Sequence, residues 1–267
     1  MSFTADATRI ALPRGKIFFA RKSTAGVNGP FLFLGNASKL EFGTIGDDIA
    51  EVVDFTSATS APLTRISKKR APEFPLTLME ANPDNLALIF MGDNNEYTQA
   101  ATPVTLEQLV GGLKIGAFYR TAKPKISSVS LLETVEGTPK VFTATTHYVI
   151  RDAESGLIEI VGYPSGAVDG QLMQITYTPT AIVTGAATAL RKILGGTVSR
   201  IEGALLYTGT GVQGPRHKLE IWNCSIASDG AFPFIATDPV EFSLKVTVLS
   251  DSVHTELFEL LELDNGT

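Results

Sequence analysis

The chain has 267 residues, 44% of them hydrophobic and 19% charged, and a formal net charge of −6. This balance is typical of a folded protein of one large or two modest domains and excludes the disordered class. An acidic chain is also poorly suited to nucleic acid, because such binding gains most of its affinity from Lys and Arg at phosphates. The single cysteine, Cys224, excludes an internal disulfide framework and a cysteine-built metal centre.

The N-terminal segment carries Asp6 and Arg9 where a signal peptide would need an uninterrupted apolar stretch, so no export signal is expected. No stretch of the sequence approaches the roughly 20 apolar residues that cross a bilayer. We therefore expect a soluble protein without a membrane anchor.

The segment 56–71 is rich in Ser, Thr and Ala and joins a strand near 52–55 to another over 73–78, where Pro75 indicates a sheet edge or a bulge. Its basic residues are Arg65, Lys68, Lys69 and Arg70. Ordering about fifteen such residues costs roughly 15–30 kcal/mol of backbone entropy, at about 1–2 kcal/mol each. Two interpretations remain open: a flexible hairpin loop, and an assembly arm that becomes ordered only on a partner's surface.

One helix is well signalled. Asn82 can cap its free amides, Pro83 suits its first position, and Gly92 can end it in a left-handed conformation. Its apolar residues fall on one face, so the helix is expected to lie against a sheet. A second short helix is predicted to begin at Thr105, where Gln108 would complete a capping box.

The middle of the chain predicts a separate small all-β unit over 126–179, inserted into a domain built from 1–125 together with 180–267. Turn residues separate its strand-like runs, and prolines at both ends suit stiff connectors. The predicted strands of the insertion are 128–132, 147–150, 157–161 and 173–178.

The clearest strand of the chain is 241–248, where apolar and polar residues alternate strictly. The run 218–226 changes phase between Ile221 and Trp222, which requires a bulge or burial on both faces, and we favour burial on both faces. The predicted fold class is therefore mainly β, a β-sandwich or barrel with one packed α-helix and a small inserted all-β domain.

No catalytic, cofactor-binding or metal-binding constellation is recognisable in the sequence, and we expect that the protein is not an enzyme. The three histidines stand alone, and Cys224 lies in an apolar strand typical of a core position. Residues 209–214 match the dinucleotide pattern GxGxxG, but a proline and a strand follow where a helix must begin, which favours a hairpin loop. The acidic pair Asp47 and Asp48 is explained most simply as exposed turn carboxylates.

The opening of the chain resembles the major tail proteins of long-tailed siphophages. The resemblance is clearest in residues 8–20, TRIALPRGKIFFA, and 33–42, FLGNASKLEF, and it continues to the helix ending near Met91. Residues 200–207 resemble the part where such proteins close their sandwich, and 146–177 resembles the extra β domain that some of them carry.

The resemblance implies a tail-tube subunit that joins side by side into hexameric rings, which stack into the conduit for DNA ejection. The implied partners are other copies of the chain, the tape-measure protein, the tail terminator and tail-tip proteins, with phage DNA passing without specific binding. The implied location is the virion tail, after assembly in the host cytoplasm. The insertion is expected on the tube exterior, because a unit of that size would obstruct the bore.

Two hypotheses follow from this implied role. Arg65, Lys68, Lys69 and Arg70 are expected between stacked rings, opposite acidic residues such as Asp47 and Asp48. Acidic residues are expected to outnumber basic ones on the sheet face that lines the bore, because a basic channel would hold DNA through many phosphate contacts.

Two other classes of protein share some of these features. A β-sandwich surface-binding module would have the same strand pattern, but it should carry an export signal and exposed aromatic residues. A hydrolase with an unrecognised site is the second alternative, because acidic residues distant in sequence can meet in three dimensions.

Overall fold

The computed structural model describes residues 10, 12–43, 46–54, 56, 62–185, 189–210 and 213–263. For residues 46–49, 65 and 67–71 it describes the backbone but not the side chains. The chain divides into two compact units, unit 1 with Met1–Asn95 and Ile193–Thr267, and unit 2 with Glu96–Lys192. The elements, in chain order, are β1 (Gly15–Arg21), β2 (Leu32–Phe33), β3 (Ala37–Leu40), β4 (Gly46–Val53), β5 (Pro62–Ala71), β6 (Glu73–Leu78), α1 (Pro83–Ile89), β7 (Asp93–Tyr97), β8 (Val104–Gln108), β9 (Phe118–Arg120), β10 (Ile126–Thr134), β11 (Tyr148–Asp152), β12 (Leu157–Ile160), β13 (Met173–Pro179), β14 (Leu190–Leu194), β15 (Ile201–Gly209), β16 (Arg216–Ser228), β17 (Phe242–Val248) and β18 (Glu259–Leu263).

Unit 1 is built on one large antiparallel sheet with the strand order β2-β1-β15-β16-β17-β6-β3. The last strand, β18, is not part of this order and pairs with one end of β16. Strand β17 alternates as its sequence predicts, with Phe242, Leu244, Val246 and Val248 buried and the intervening residues half-buried. β6 lies next to the edge strand β3, whose last registered pair is Leu40 with Leu76, and beyond it the Glu41 amide donates to the Pro75 carbonyl oxygen at 3.1 Å. Pro75 therefore lies in the second strand of the sheet, beside the end of the short edge strand, and not on the edge itself.

Strand β16 contains a bulge, and the expectation of burial on both faces is wrong. Gly203 of β15 pairs with Cys224 and Leu205 pairs with Ile221, so β16 has one extra residue between these pairs. The extra residue returns Cys224 and Ile226 to the face of Leu219 and Ile221, and all four are buried. The phase change at Trp222 is thus produced by a one-residue β-bulge in β16.

Helix α1 begins as predicted and ends earlier than predicted. The Asn82 side chain accepts a hydrogen bond from the Asn85 amide at 2.8 Å, and Pro83 is the first helical residue. The left-handed residue after the helix is Met91, with φ 48°, and not Gly92. The helix packs on the core face of the large sheet, where Leu88 and Ile89 join the hydrophobic cluster of unit 1.

Unit 2 has two three-stranded sheets, with orders β10-β13-β8 and β11-β12-β9. It is wider than the predicted insertion 126–179, because β8 and β9 precede that range and pair with β13 and β12. The prediction of a helix beginning at Thr105 is also wrong, because Val104–Gln108 form strand β8, which pairs with β13. Where the chain enters and leaves this unit, β7 and β14 form a two-stranded sheet.

The fold class is confirmed as mainly β with one packed helix. The core of unit 1 and the core of unit 2 are two separate clusters of buried residues. In the described ranges none of the sheets closes on itself, so the sandwich alternative of the predicted class applies and the barrel does not.

Candidate assembly surfaces

The first candidate surface is a hairpin, which we call the β4–β5 hairpin. Its two strands pair with each other over their length and with no other described strand. The side chains of Val52, Leu63 and Ile66 are 42%, 66% and 52% exposed. An isolated two-stranded hairpin is marginally stable in water, and exposed apolar residues on it need a partner surface.

The predicted assembly residues all fall on this hairpin. In the register, Asp47 lies opposite Arg70, Asp48 opposite Lys69, and Glu51 opposite Arg65, while Lys68 lies within β5 at a shift in the register. The structure thus brings the two predicted sets onto neighbouring strands of one chain. The side chains of Asp47, Asp48, Arg65, Lys68, Lys69 and Arg70 lie outside the described residues.

The flexible-loop interpretation of 56–71 is wrong for its second half, which is strand β5. The cause is pairing with β4, which satisfies the backbone groups that a loop would leave to water. Residues 57–61 lie outside the described part of the chain.

A second surface is the side of the large sheet that faces away from the hydrophobic core, which we call the outer sheet face. Charged residues alternate along its strands and pair with their neighbours. The nitrogen-to-oxygen distances are 2.6 Å for Lys218–Glu220, 2.8 Å for Lys245–Glu73 and 2.8 Å for Arg200–Glu202.

These pairs affect the titration of the lysines. The hydrogen bond to Glu220 raises the pKa of Lys218, with the nearby charge of Glu259 adding to the effect. Glu73 raises the pKa of Lys245 in the same way. Lys218, Lys245 and Arg200 thus each have a carboxylate partner on this face, and the excess of acids along the bore stays a prediction.

A third surface is an apolar groove of about 890 Å³ over the core-facing side of the sheet, at the end where β1 begins. Phe42, Phe74 and Phe258 form one wall, with ring centroids 5.1 to 5.7 Å apart. Leu260 is 60% exposed beside them. The polar lining residues are Arg14, Ser38, Lys39, Glu41 and His217.

A fourth feature is the loop 229–241 between β16 and β17, which we call the aromatic loop. Phe232 packs against Phe242 of the core and against Phe90 after the helix, with centroid distances of 5.9 and 5.5 Å. Phe234 stacks on Phe90 at 5.8 Å and is nevertheless 82% exposed, and Ile235 is 95% exposed. The sequence signal for this feature, the apolar run 231–235 inside an acidic loop, was missed.

Cys224 is placed where its sequence context predicts, in the core of unit 1. Its thiol lies 3.4 Å from the carbonyl oxygen of Gly203, and burial, with a smaller contribution from the charge of Glu202, raises the pKa of Cys224 to about 12. The thiolate is the reactive form of cysteine, so the folded protein holds this residue unreactive.

We expect native protein at pH 8 to incorporate less than about 5% of one equivalent of iodoacetamide in an hour, and guanidinium-unfolded protein about one equivalent. Because the folded pKa lies above the unfolded value, the contribution of Cys224 to stability is present below pH 9 and is lost as pH rises toward 12. Mass spectrometry measures the labelling. Stoichiometric labelling of the native protein would contradict the buried placement.

The other residues with possible chemistry are dispersed. In the described ranges no three His, Cys, Asp or Glu side chains come together as a metal site. The GxGxxG pattern begins at Gly209, the last residue of β15, and runs into the connection to its antiparallel neighbour β16, where Gly211 and Val212 are outside the described residues. No helix of the described part is long and apolar enough to cross a membrane.

His254 stacks on Trp222 with centroids 4.1 Å apart, and its Nδ1 lies 2.7 Å from Asp251. The hydrogen bond with His254 lowers the pKa of Asp251. This cluster holds the segment after β17 against β16, and sequence reasoning had treated its histidine as isolated.

The fold and these surfaces define a mainly β protein whose unit 1 exposes a two-stranded hairpin, an apolar groove and an aromatic loop. A family model described as protein of unknown function UCP028589 matches residues 11–257, and the chain belongs to that family. No curated protein matches the sequence.

Proposed function

We propose that this protein is a structural subunit that polymerises as stacked hexameric rings into the tail tube of a long-tailed phage. The observation that carries the proposal is the β4–β5 hairpin, which pairs with no other described strand and exposes Val52, Leu63 and Ile66. Such a hairpin gains stability when another copy covers it, because the apolar area then leaves water.

The resemblance of the first hundred residues to siphophage major tail proteins supports the particular assembly. It includes the hairpin sequence, so the element that needs a partner lies in the part of the chain that carries the likeness. In this proposal the hairpin lies between stacked rings, and its opposed charges take part in the contact.

The outer sheet face is our candidate for the wall of the bore. Its Lys218 and Lys245 pair with glutamates within the chain, and paired charges leave little attraction for phosphates. A bore lined in this way would let DNA slide without specific binding. Unit 2 would then lie on the tube exterior, and the tape-measure, terminator and tail-tip proteins would be the partners in the virion.

Negative-stain electron microscopy of the purified chain over a concentration series tests the proposal. We expect rings or tubes with a central hole above a threshold concentration, because each ring repeats one contact several times. Isolated particles at every concentration, both alone and with phage tail-tip complexes as initiators, would reject the tube function.

A further inference from the structure

The aromatic loop starts at the end of β16 that is distant from Leu219, one of the residues that line the apolar groove. Leu219 lines the groove, and Ser228 ends β16 where the aromatic loop begins. These residues are nine positions apart along one strand, which is roughly 30 Å at about 3.3 Å per residue. Phe232 anchors the loop to Phe242 and Phe90, and no residue of the loop lines the groove of its own chain.

The loop is an ordered apolar tip. Phe232 and Phe234 pack edge to face at 5.2 Å, and Phe234 lies parallel to Phe90. Ring contacts of this kind fix the side chains before a partner arrives, so less conformational entropy is lost on binding. Aromatic and aliphatic side chains that are exposed yet ordered are typical anchors of protein interfaces.

The charges of the two surfaces are complementary. Residues 229–241 include Asp229, Asp238 and Glu241 and no basic residue. At the groove, Lys39 and Glu41 pair with each other at 2.9 Å, while no acidic side chain of the described residues pairs with Arg14. An acidic loop with an apolar tip therefore matches an apolar groove with a basic residue at its rim.

We propose that the aromatic loop of one copy inserts Phe234 and Ile235 into the apolar groove of the next copy, in a head-to-tail contact. A contact between two different surfaces of the same chain generates rings if its rotation closes and filaments if it does not. The inference rests on the proposed self-assembly and names one of its interfaces, which is distinct from the β4–β5 hairpin.

Mixing of two variants tests this contact in the full chain. The loop variant carries Phe234→Asp and Ile235→Asp, and the groove variant carries Arg14→Glu and Leu260→Asp. All four positions are exposed, so folding should be retained, and circular dichroism with thermal melts checks it. Val253→Asp, at a position 81% exposed outside both surfaces, is the matched control.

Each variant alone is expected to associate at least about 100-fold more weakly than wild type, because the apolar contact is replaced by charge. The mixture is expected to form 1:1 dimers that do not elongate through this contact, since it retains one intact loop and one intact groove. Mass photometry and sedimentation velocity measure these species.

The other outcomes separate this contact from the proposed function. If wild type and Val253→Asp assemble while the mixture stays monomeric, the contact is rejected and self-assembly stands. If the loop variant assembles as wild type and the groove variant does not, another segment, such as residues 1–9 or the hairpin of a second copy, fills the groove and the proposal is wrong. A wild type that never assembles rejects both.

Discussion

Deleting Glu96–Lys192 and joining Asn95 to Ile193 through Asn-Gly is expected to leave unit 1 folded. Every buried residue of the unit 1 core lies outside the deletion. β7 and β14 are hydrogen-bonded neighbours, and neighbouring strands lie about 4.8 Å apart, so an Asn-Gly turn is suited to join the cut ends. We expect a cooperative thermal transition within about 5 °C of the unit 1 transition in the full chain.

Deleting 126–179, the range indicated by the sequence alone, is expected to leave the remainder of unit 2 unfolded. That range holds nine of the twelve residues in the unit 2 core, and it leaves Leu109, Leu113 and Tyr119 without partners. Exposing each costs about 1.5–3 kcal/mol, which is comparable with the whole stability of a small domain.

Limited proteolysis and heteronuclear NMR compare the two deletions. Trypsin is expected to cut the residual segment 96–125 rapidly in the shorter deletion and to leave the longer deletion intact. Protection of that segment would show that β8 and β9 fold without β13 and β12. Tubes from the longer deletion would support the exterior placement of unit 2, and loss of rings would assign unit 2 to the interface.

Local patterns predicted the elements whose stability is local. The strict alternation of β17 follows from its position with one face in the core, and the cap at Asn82 depends on residues within one turn. Sequence reasoning failed where pairing with a strand distant in the sequence determines the local structure. Thr105 and Gln108 fit a capping box, but their backbone pairs with β13, about 70 residues later, and this ladder overrides the local preference.

The candidate surfaces were predicted in part. The charge run of β5 identified Arg65 and Arg70 as candidate assembly residues. The composition of 56–71 supported a flexible loop as well as an assembly arm, because a hairpin without a third strand has no strong periodic pattern. The groove could not be predicted, since Phe42, Phe74 and Phe258 meet only after the sheet has formed.

Replacing Arg65, Lys68, Lys69 and Arg70 with Ser is expected to block tube growth. Exposed charge pairs contribute about 0.5 kcal/mol each, so four lost pairs amount to about 2 kcal/mol per subunit and raise the threshold concentration about 30-fold. Wild-type assembly should also weaken with added salt, and the variant should show a smaller salt dependence. Electron microscopy and sedimentation of polymer measure both effects.

The control removes four positive charges from unit 2, with Lys114, Arg120, Lys140 and Lys192 changed to Ser, and should assemble as wild type. A second variant separates a contact between rings from a contact within the hairpin. It exchanges Asp47 with Arg70 and Asp48 with Lys69, which keeps opposite charges in register while reversing the pattern offered to a neighbour. If the charges act between rings, this exchange blocks growth; normal tubes from it would mean that they only stabilise their own hairpin.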